Sequence, residues 1–174
     1  MFHYRASDAF PAAREVSPSM HVIAVGRLRN CPEAELFDRY NTRLRPRLTV
    51  VEVPESRGGS AVVKRQEAAA LLSALPRDAF AVPLDLAGHA LDSEALAAKL
   101  RQWAELARPI CFLIGGAEGL DRPVISRADF VLSFGALTWP HFLVRAMLVE
   151  QLYRARSMAR GHPYHRAGRP DAAS

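Results

Sequence analysis

Pro109-Ile110-Cys111-Phe112-Leu113-Ile114-Gly115-Gly116-Ala117-Glu118-Gly119 is an apolar run that empties into a glycine turn. Five residues without a charge, bounded by proline and glycine, read as a strand buried on both faces. Cys111, in its middle, reads as a small buried hydrophobe. In an open parallel sheet, ligands bind beyond the carboxyl ends of the strands. Glycines at that place let the backbone approach a ligand and expose its N–H groups. The turn is not GxGxxG and lacks the GK[ST] ending of a phosphate loop. Glu118 inside it would also repel a phosphate. A ligand with a cationic centre, or one read through its hydroxyls, suits it better. From this motif alone, a plain strand-to-helix turn reads the same way.

Outward from that strand, apolar segments of strand and helix period alternate. Val22-Ile23-Ala24-Val25-Gly26 reads as a first strand. Residues 32–44 read as a helix, with Leu36, Phe37, Tyr40 and Leu44 at helical spacing. Residues 48–53 form a β-branched strand ended by Pro54. Ser56-Arg57-Gly58-Gly59-Ser60 is a loop. Residues 61–75 are a second helix, 79–86 a third strand interrupted by Pro83, and 93–107 a third helix with Ser93 as its N-cap. After the glycine turn come a short helix over 120–126, a short strand over 129–132 and a long helix over 140–159, with Pro140 at its first position. The alternation predicts a single α/β domain: a mainly parallel sheet with helices on both faces. Residues 1–19 have no period and read as a flexible leader, with Met20 a candidate start; residues 167–174 read as a disordered tail.

Two further stretches could carry chemistry. Leu132-Ser133-Phe134-Gly135-Ala136-Leu137-Thr138-Trp139-Pro140-His141 is too apolar for an ordinary surface loop. Its backbone polar groups need partners, from a bound adenine or from neighbouring strands. His141 falls in the first turn of the last helix, where a lone histidine is more often a plain helix-start residue than a catalyst. That helix is apolar all round in its first three turns, so it is buried in a core or in a subunit interface. Arg145 stands alone inside it and must pair or face a cavity. Glu150 and Arg154 form an i,i+4 pair. The chain then closes on Gly161-His162-Pro163-Tyr164-His165-Arg166, an aromatic and basic cluster able to stack on a base, touch phosphate and move a proton.

Composition bounds these readings. The 174 residues carry 23 Lys and Arg against 18 Asp and Glu, a net charge of +5. Lys64 and Lys99 are the lysines; every other basic residue is arginine. Arginine grips phosphate bidentately and stacks on bases, which suggests a polyanionic partner. A GC-rich coding sequence produces the same bias, so composition does not decide. Cys31 and Cys111 form no CxxC pair, which speaks against a zinc site and a structural disulfide. No run of about eighteen apolar residues is present, so no membrane span is expected. The N-terminus lacks an apolar core followed by a cleavage site, so a cytoplasmic protein is expected.

Taken together, Ala24-Val25-Gly26, Leu84-Asp85 with Gly88, Leu113 through Gly119, Leu132-Ser133, Ala136 through His141, Val144-Arg145, Glu150-Gln151-Leu152-Tyr153-Arg154-Ala155 and His162-Pro163-Tyr164-His165-Arg166 resemble the ribosomal RNA large subunit methyltransferase H family. These are small SPOUT enzymes that methylate N3 of a pseudouridine in 23S rRNA. The order and spacing of the last four pieces make the resemblance specific, and it runs over residues 20–166. It implies a SPOUT fold with a C-terminal trefoil knot, and a homodimer whose site is completed across the interface. It also implies S-adenosyl-L-methionine (SAM) as methyl donor, with no metal and no membrane. The cofactor contacts it implies are Leu84, Gly115, Phe134, Gly135, Ala136, Leu137, Thr138 and Trp139. Tyr164, His165 and Arg166 would face RNA and the reacting base, and recognition would need the assembled ribosome.

Methyl transfer from a sulfonium needs an in-line approach and a nucleophile stripped of its proton. N3 of a uracil-type ring is a weak acid, so a base or a cation beside it helps. His141, His165 and Arg145 are the candidates, Arg145 by stabilising the anion. The rival readings are a SPOUT ribose 2′-O-methyltransferase acting on tRNA, a ribosome-assembly factor that has lost SAM, and a nucleotide-phosphate binding module. The short chain and the His-Pro-Tyr-His-Arg tail speak against the first. The intact glycine turn and Leu137-Thr138 speak against the second. The missing phosphate-loop lysine speaks against the third.

Overall fold

A computed structural model describes residues 19–161 and Tyr164. His165, Arg166, the leader and the tail lie outside the described residues. The elements are β1 (Met20–Val25), α1 (Pro32–Asn41), β2 (Thr49–Val53), α2 (Ser60–Ala74), β3 (Phe80–Ala90), α3 (Ser93–Ala104), β4 (Ile110–Ile114), α4 (Arg122–Arg127), β5 (Leu132–Ser133) and α5 (His141–Ala159). The sheet runs β2-β1-β4-β3-β5, and every pairing is parallel. This is the expected α/β architecture.

Alternation along β1 explains the layers. Val22 and Ala24 point into one apolar cluster with Phe80, Val82, Phe112 and residues of α1, α3 and α5. Ile23 and Val25 point the other way, onto Ala68 and Leu71 of α2 and Val124 of α4. All five residues of β4 are buried, as a strand covered on both faces must be.

Several boundaries differ from the sequence reading, each for a local reason. α1 stops at Asn41, because the Asn41 side chain closes a turn on both the N–H and the C=O of Leu48. Asp92, not Ser93, caps α3: its carboxylate accepts the Ala95 N–H at 2.7 Å. Pro140 sits at the N-cap of α5, one position before the helix proper. The fifth strand starts at Leu132; before it, Asp129 and Phe130 both donate their N–H groups to the Ala81 carbonyl, at 3.0 and 3.3 Å, and the Asp129 carboxylate accepts the Ala81 N–H at 2.8 Å, a local cluster of bonds in place of a ladder.

β3 runs on to Ala90, past its expected end. It pairs with β4 through Pro83 and with β5 from Leu84 onward, so proline stands where the strand changes neighbour. Leu132 is paired twice, with Leu84 and with His89, and the residues between bulge outward. Gly88 makes this possible. A Cβ there would lie 2.8 Å from the Val131 carbonyl oxygen and from the Leu132 carbonyl carbon.

Candidate active site

The carboxyl ends of β3 and β4 and the loop after β5 enclose a cavity of about 310 Å³. Larger hollows of about 490 and 580 Å³ lie in grooves between α3 and α5 and between α1 and α5. The smaller one is at the sheet position where parallel folds bind ligands. Its walls are Leu84, Asp85 and Leu86 in β3 beyond Pro83, residues 114–120 at the end of β4 and beyond it, and Ser133, Phe134, Gly135, Leu137, Thr138 and Trp139 at the end of β5 and in the loop that follows. Lys64, His141 and Val144 complete it. Of the eight cofactor contacts implied by the sequence, the cavity gathers seven; Ala136 lies in the same loop without lining it.

Local bonds hold these walls. Trp139 Nε1 donates to the Phe134 carbonyl, and Gly135 N–H donates to Ser133 Oγ, which folds the last loop back on itself. The glycine turn closes through Gly119 N–H to the Gly116 carbonyl at 3.0 Å. Ser60 Oγ donates to Glu118, tying the start of α2 to that turn. Gly116 permits a close approach from behind: a Cβ on it would lie 2.8 and 3.1 Å from the two carboxylate oxygens of Glu67.

His141 stands on the cavity wall with its Nε2 buried and without a hydrogen-bond partner. Glu55 Oε1, at 3.8 Å, is beyond hydrogen-bond range. Burial pushes the imidazole below its usual 6.5; Arg145 adds to this, while Glu55 and Glu67 oppose it. A neutral imidazole with a free nitrogen can take a proton.

Arg145 does not reach the cavity. It is wholly buried, and its guanidinium donates to the carbonyls of Val25 and Gly26 and to Glu52 Oε1. The lone charge in the apolar helix therefore pairs, and it clamps the end of β1 to α5. Tyr164 lies elsewhere too. Its hydroxyl donates to Glu150 at 3.1 Å and meets the Tyr40 hydroxyl at 3.3 Å, against the α1–α5 groove. Glu150 is nine residues along α5 from His141, roughly 13 Å at the helical rise. Burial, with Tyr40 and Glu150 beside it, raises the Tyr164 phenol well above its usual range and keeps it protonated. Glu150 also pairs with Arg154, as expected. Within the chain, then, His141 and the cofactor residues come together, while Arg145 and Tyr164 do not join them.

The sequence reading passed over Lys64, Glu55 and Glu67, and named Asp85 only as part of the Leu84-Asp85 motif, not as a site residue. For Glu67 a signal existed: it falls in register with Val63 and Leu71, on the buried stripe of α2. A charge on an apolar stripe marks either a pair or a site.

A family model described as "Predicted SPOUT methyltransferase" matches residues 19–165. The ribosomal RNA large subunit methyltransferase H of Gluconacetobacter diazotrophicus is 62% identical over 151 residues, covering 87% of this chain and 99% of that protein. The chain belongs to the ribosomal RNA large subunit methyltransferase H family. Family proteins of the same name from Acidiphilium cryptum and Paracoccus denitrificans are 54% and 44% identical, over 87% and 84% of this chain and 96% and 98% of their own. A solved SpoU methyltransferase, AviRb from Streptomyces viridochromogenes in complex with the cofactor AdoMet, is similar over 80% of this chain and 58% of its own. Its 14% identity and TM-score of 0.42 are too loose to locate a residue. Membership of the family and of the SPOUT class is as the sequence motifs implied. No helix among the described residues is long and apolar enough to cross a membrane. No metal-binding cluster occurs among them either.

The cavity fits an adenosyl cofactor. Its volume lies in the range of about 300–1,000 Å³ usual for small-molecule sites. Leu86 and Leu137 stand 54% and 67% exposed at its rim, apolar surface that a bound ligand would cover. Asp85 and Glu118 on its wall suit a cation.

Proposed function

We propose that this chain transfers a methyl group from SAM to N3 of a pseudouridine in 23S rRNA on the assembled ribosome, in the cytoplasm, as a homodimer with a C-terminal trefoil knot. The observation that carries this reading is the convergence of Leu84, Gly115 and the Phe134–Trp139 loop residues on one cavity with His141 at its edge. Near-full-length identity to enzymes of that name supports the substrate.

SAM supplies an electrophilic methyl group and needs no metal. Residues of β3 and those that follow β4 and β5 would hold it, and the apolar last loop would exclude water from the adenosyl part. His141 acts as the base that removes the N3 proton. Its imidazole is neutral at pH 7 because it is buried, and the fields of Glu55 and Glu67 steady the imidazolium once the proton arrives. Arg145 acts at one remove: by fixing the carbonyls of Val25 and Gly26 it sets where α5, and so His141, begins.

The groove between α1 and α5 supports the homodimer. Leu36, Leu91, Phe134 and Met147 line it, an apolar face that a second copy would cover. Ser133, Phe134 and Gly135 line both this groove and the cofactor cavity. Tyr164 is anchored on Tyr40 and Glu150, which also line the groove, and this supports a role for the tail at a partner's cavity.

Mass spectrometry of 23S rRNA from a deletion strain tests the activity. Loss of one methyl from one pseudouridine is expected; an unchanged rRNA would sink the reading. The rival reading, an assembly factor without SAM, is separated by calorimetric titration with SAM.

A further inference from the structure

One charge beside the cavity is buried more deeply than its modest part in the mechanism above, a field felt at His141, explains. Glu67 is 4% exposed, in the middle of α2. Its Oε1 accepts the Ser56 N–H at 3.1 Å. Its Oε2 is buried and has no hydrogen-bond partner, and no cationic side chain among the described residues makes an ion pair with it. Removing a carboxylate from water is costly unless something positive faces it. A glutamine would hold the Ser56 N–H equally well without that cost, so the charge itself needs a reason.

Gly116 supplies one. Both carboxylate oxygens rest on the spot where its side chain would be, at 2.8 and 3.1 Å from an added Cβ. Gly116 also lines the cavity. A single residue without a side chain therefore separates the buried carboxylate from the ligand space. In such dry surroundings its field is weakly screened, and it is felt at His141 on the cavity wall. We infer that Glu67 acts through the bare Gly116 wall to hold a sulfonium donor in preference to its neutral thioether product. This rests on the methyltransferase reading. Methyl transfer removes the positive charge from sulfur, so the field that favours the donor relaxes its hold on the spent product. Glu67 is a positioning and selectivity residue that touches no reacting atom.

The test is calorimetric binding of SAM and of S-adenosylhomocysteine to the full-length protein and its Glu67→Gln and Glu67→Met variants, with folding checked by thermal melts. The two ligands share their ammonium and carboxylate and differ in the charge on sulfur. The preference for SAM over the thioether should fall by about tenfold in both variants, the size expected of one weakly screened charge. The loss should come from SAM alone. Should the Gln variant fail to fold, the Met variant carries the comparison. An unchanged preference, or an equal loss for both ligands, would overturn the inference and leave the methyltransferase reading standing. Wild-type protein that binds neither ligand would overturn both.

Discussion

Replacing Arg145 by methionine tests the clamp between β1 and α5. Methionine fills much of the same volume without a charge, so the cavity term stays small. The carbonyls of Val25 and Gly26 lose their charged donor in a place with no water. Glu52 fares better: it is 20% exposed and keeps the Leu28 N–H at 2.7 Å and Arg29 at 3.9 Å. Each stranded carbonyl costs about 1–3 kcal/mol, which puts the total near ~3 kcal/mol. With a urea m-value of about 2 kcal/mol/M for a domain of this size, the midpoint should fall by roughly 1.5 M. The assay is urea unfolding followed by tryptophan fluorescence, at one protein concentration so that assembly does not shift the curve. A midpoint within about 0.3 M of wild type would refute the argument, because it would mean those carbonyls find other donors.

Three further outcomes follow. If His141 is the base, the methylation rate should stay flat through neutral pH and fall only below the ordinary imidazole value of 6.5, since burial and Arg145 lower its pKa. Glu55→Gln removes an influence that raises it and should move the acid limb lower still; single-turnover rates measure both, and a limb above 6.5 would exclude His141 as described. Gly88→Ala forces a Cβ against two backbone atoms at 2.8 Å, which should destabilise the fold by about 2 kcal/mol and weaken SAM binding in a melt and a titration run side by side. Cys111 is buried and its thiol is pushed up to about 11, by burial first and Asp78 second; a thiol reagent at pH 8 should leave it unmodified in the native protein and react with it in urea.

Much of the fold was legible because periodicity reports burial directly. The β4 run and the alternation of apolar periods gave a parallel sheet with two covered faces, and both are present. Boundaries were less legible where a side chain replaces a backbone group. Asn41 ends α1 and Asp92 begins α3 through their own side-chain bonds, and hydrophobic period carries no trace of that. The extension of β3 to Ala90 was hidden because Pro83 reads as an interruption, when it marks a change of neighbour. At the site, the wall residues were legible from motif and order. Glu67 was not, because its role depends on Gly116, a residue 49 positions away in sequence that only the sheet brings against it. The placement of Tyr164 depends likewise on Tyr40, at the far end of the chain.

Ser133, Phe134 and Gly135 form a wall with two sides, the cofactor cavity on one and the α1–α5 groove on the other. A partition of this kind makes two binding events thermodynamically reciprocal. Whatever shifts the loop when it seats in the groove changes the affinity of the cavity by some factor, and filling the cavity changes the groove's affinity by that same factor. Cofactor titrations at dilute and at concentrated protein should then give different dissociation constants, and the ratio between them would measure the coupling without a mutation being made.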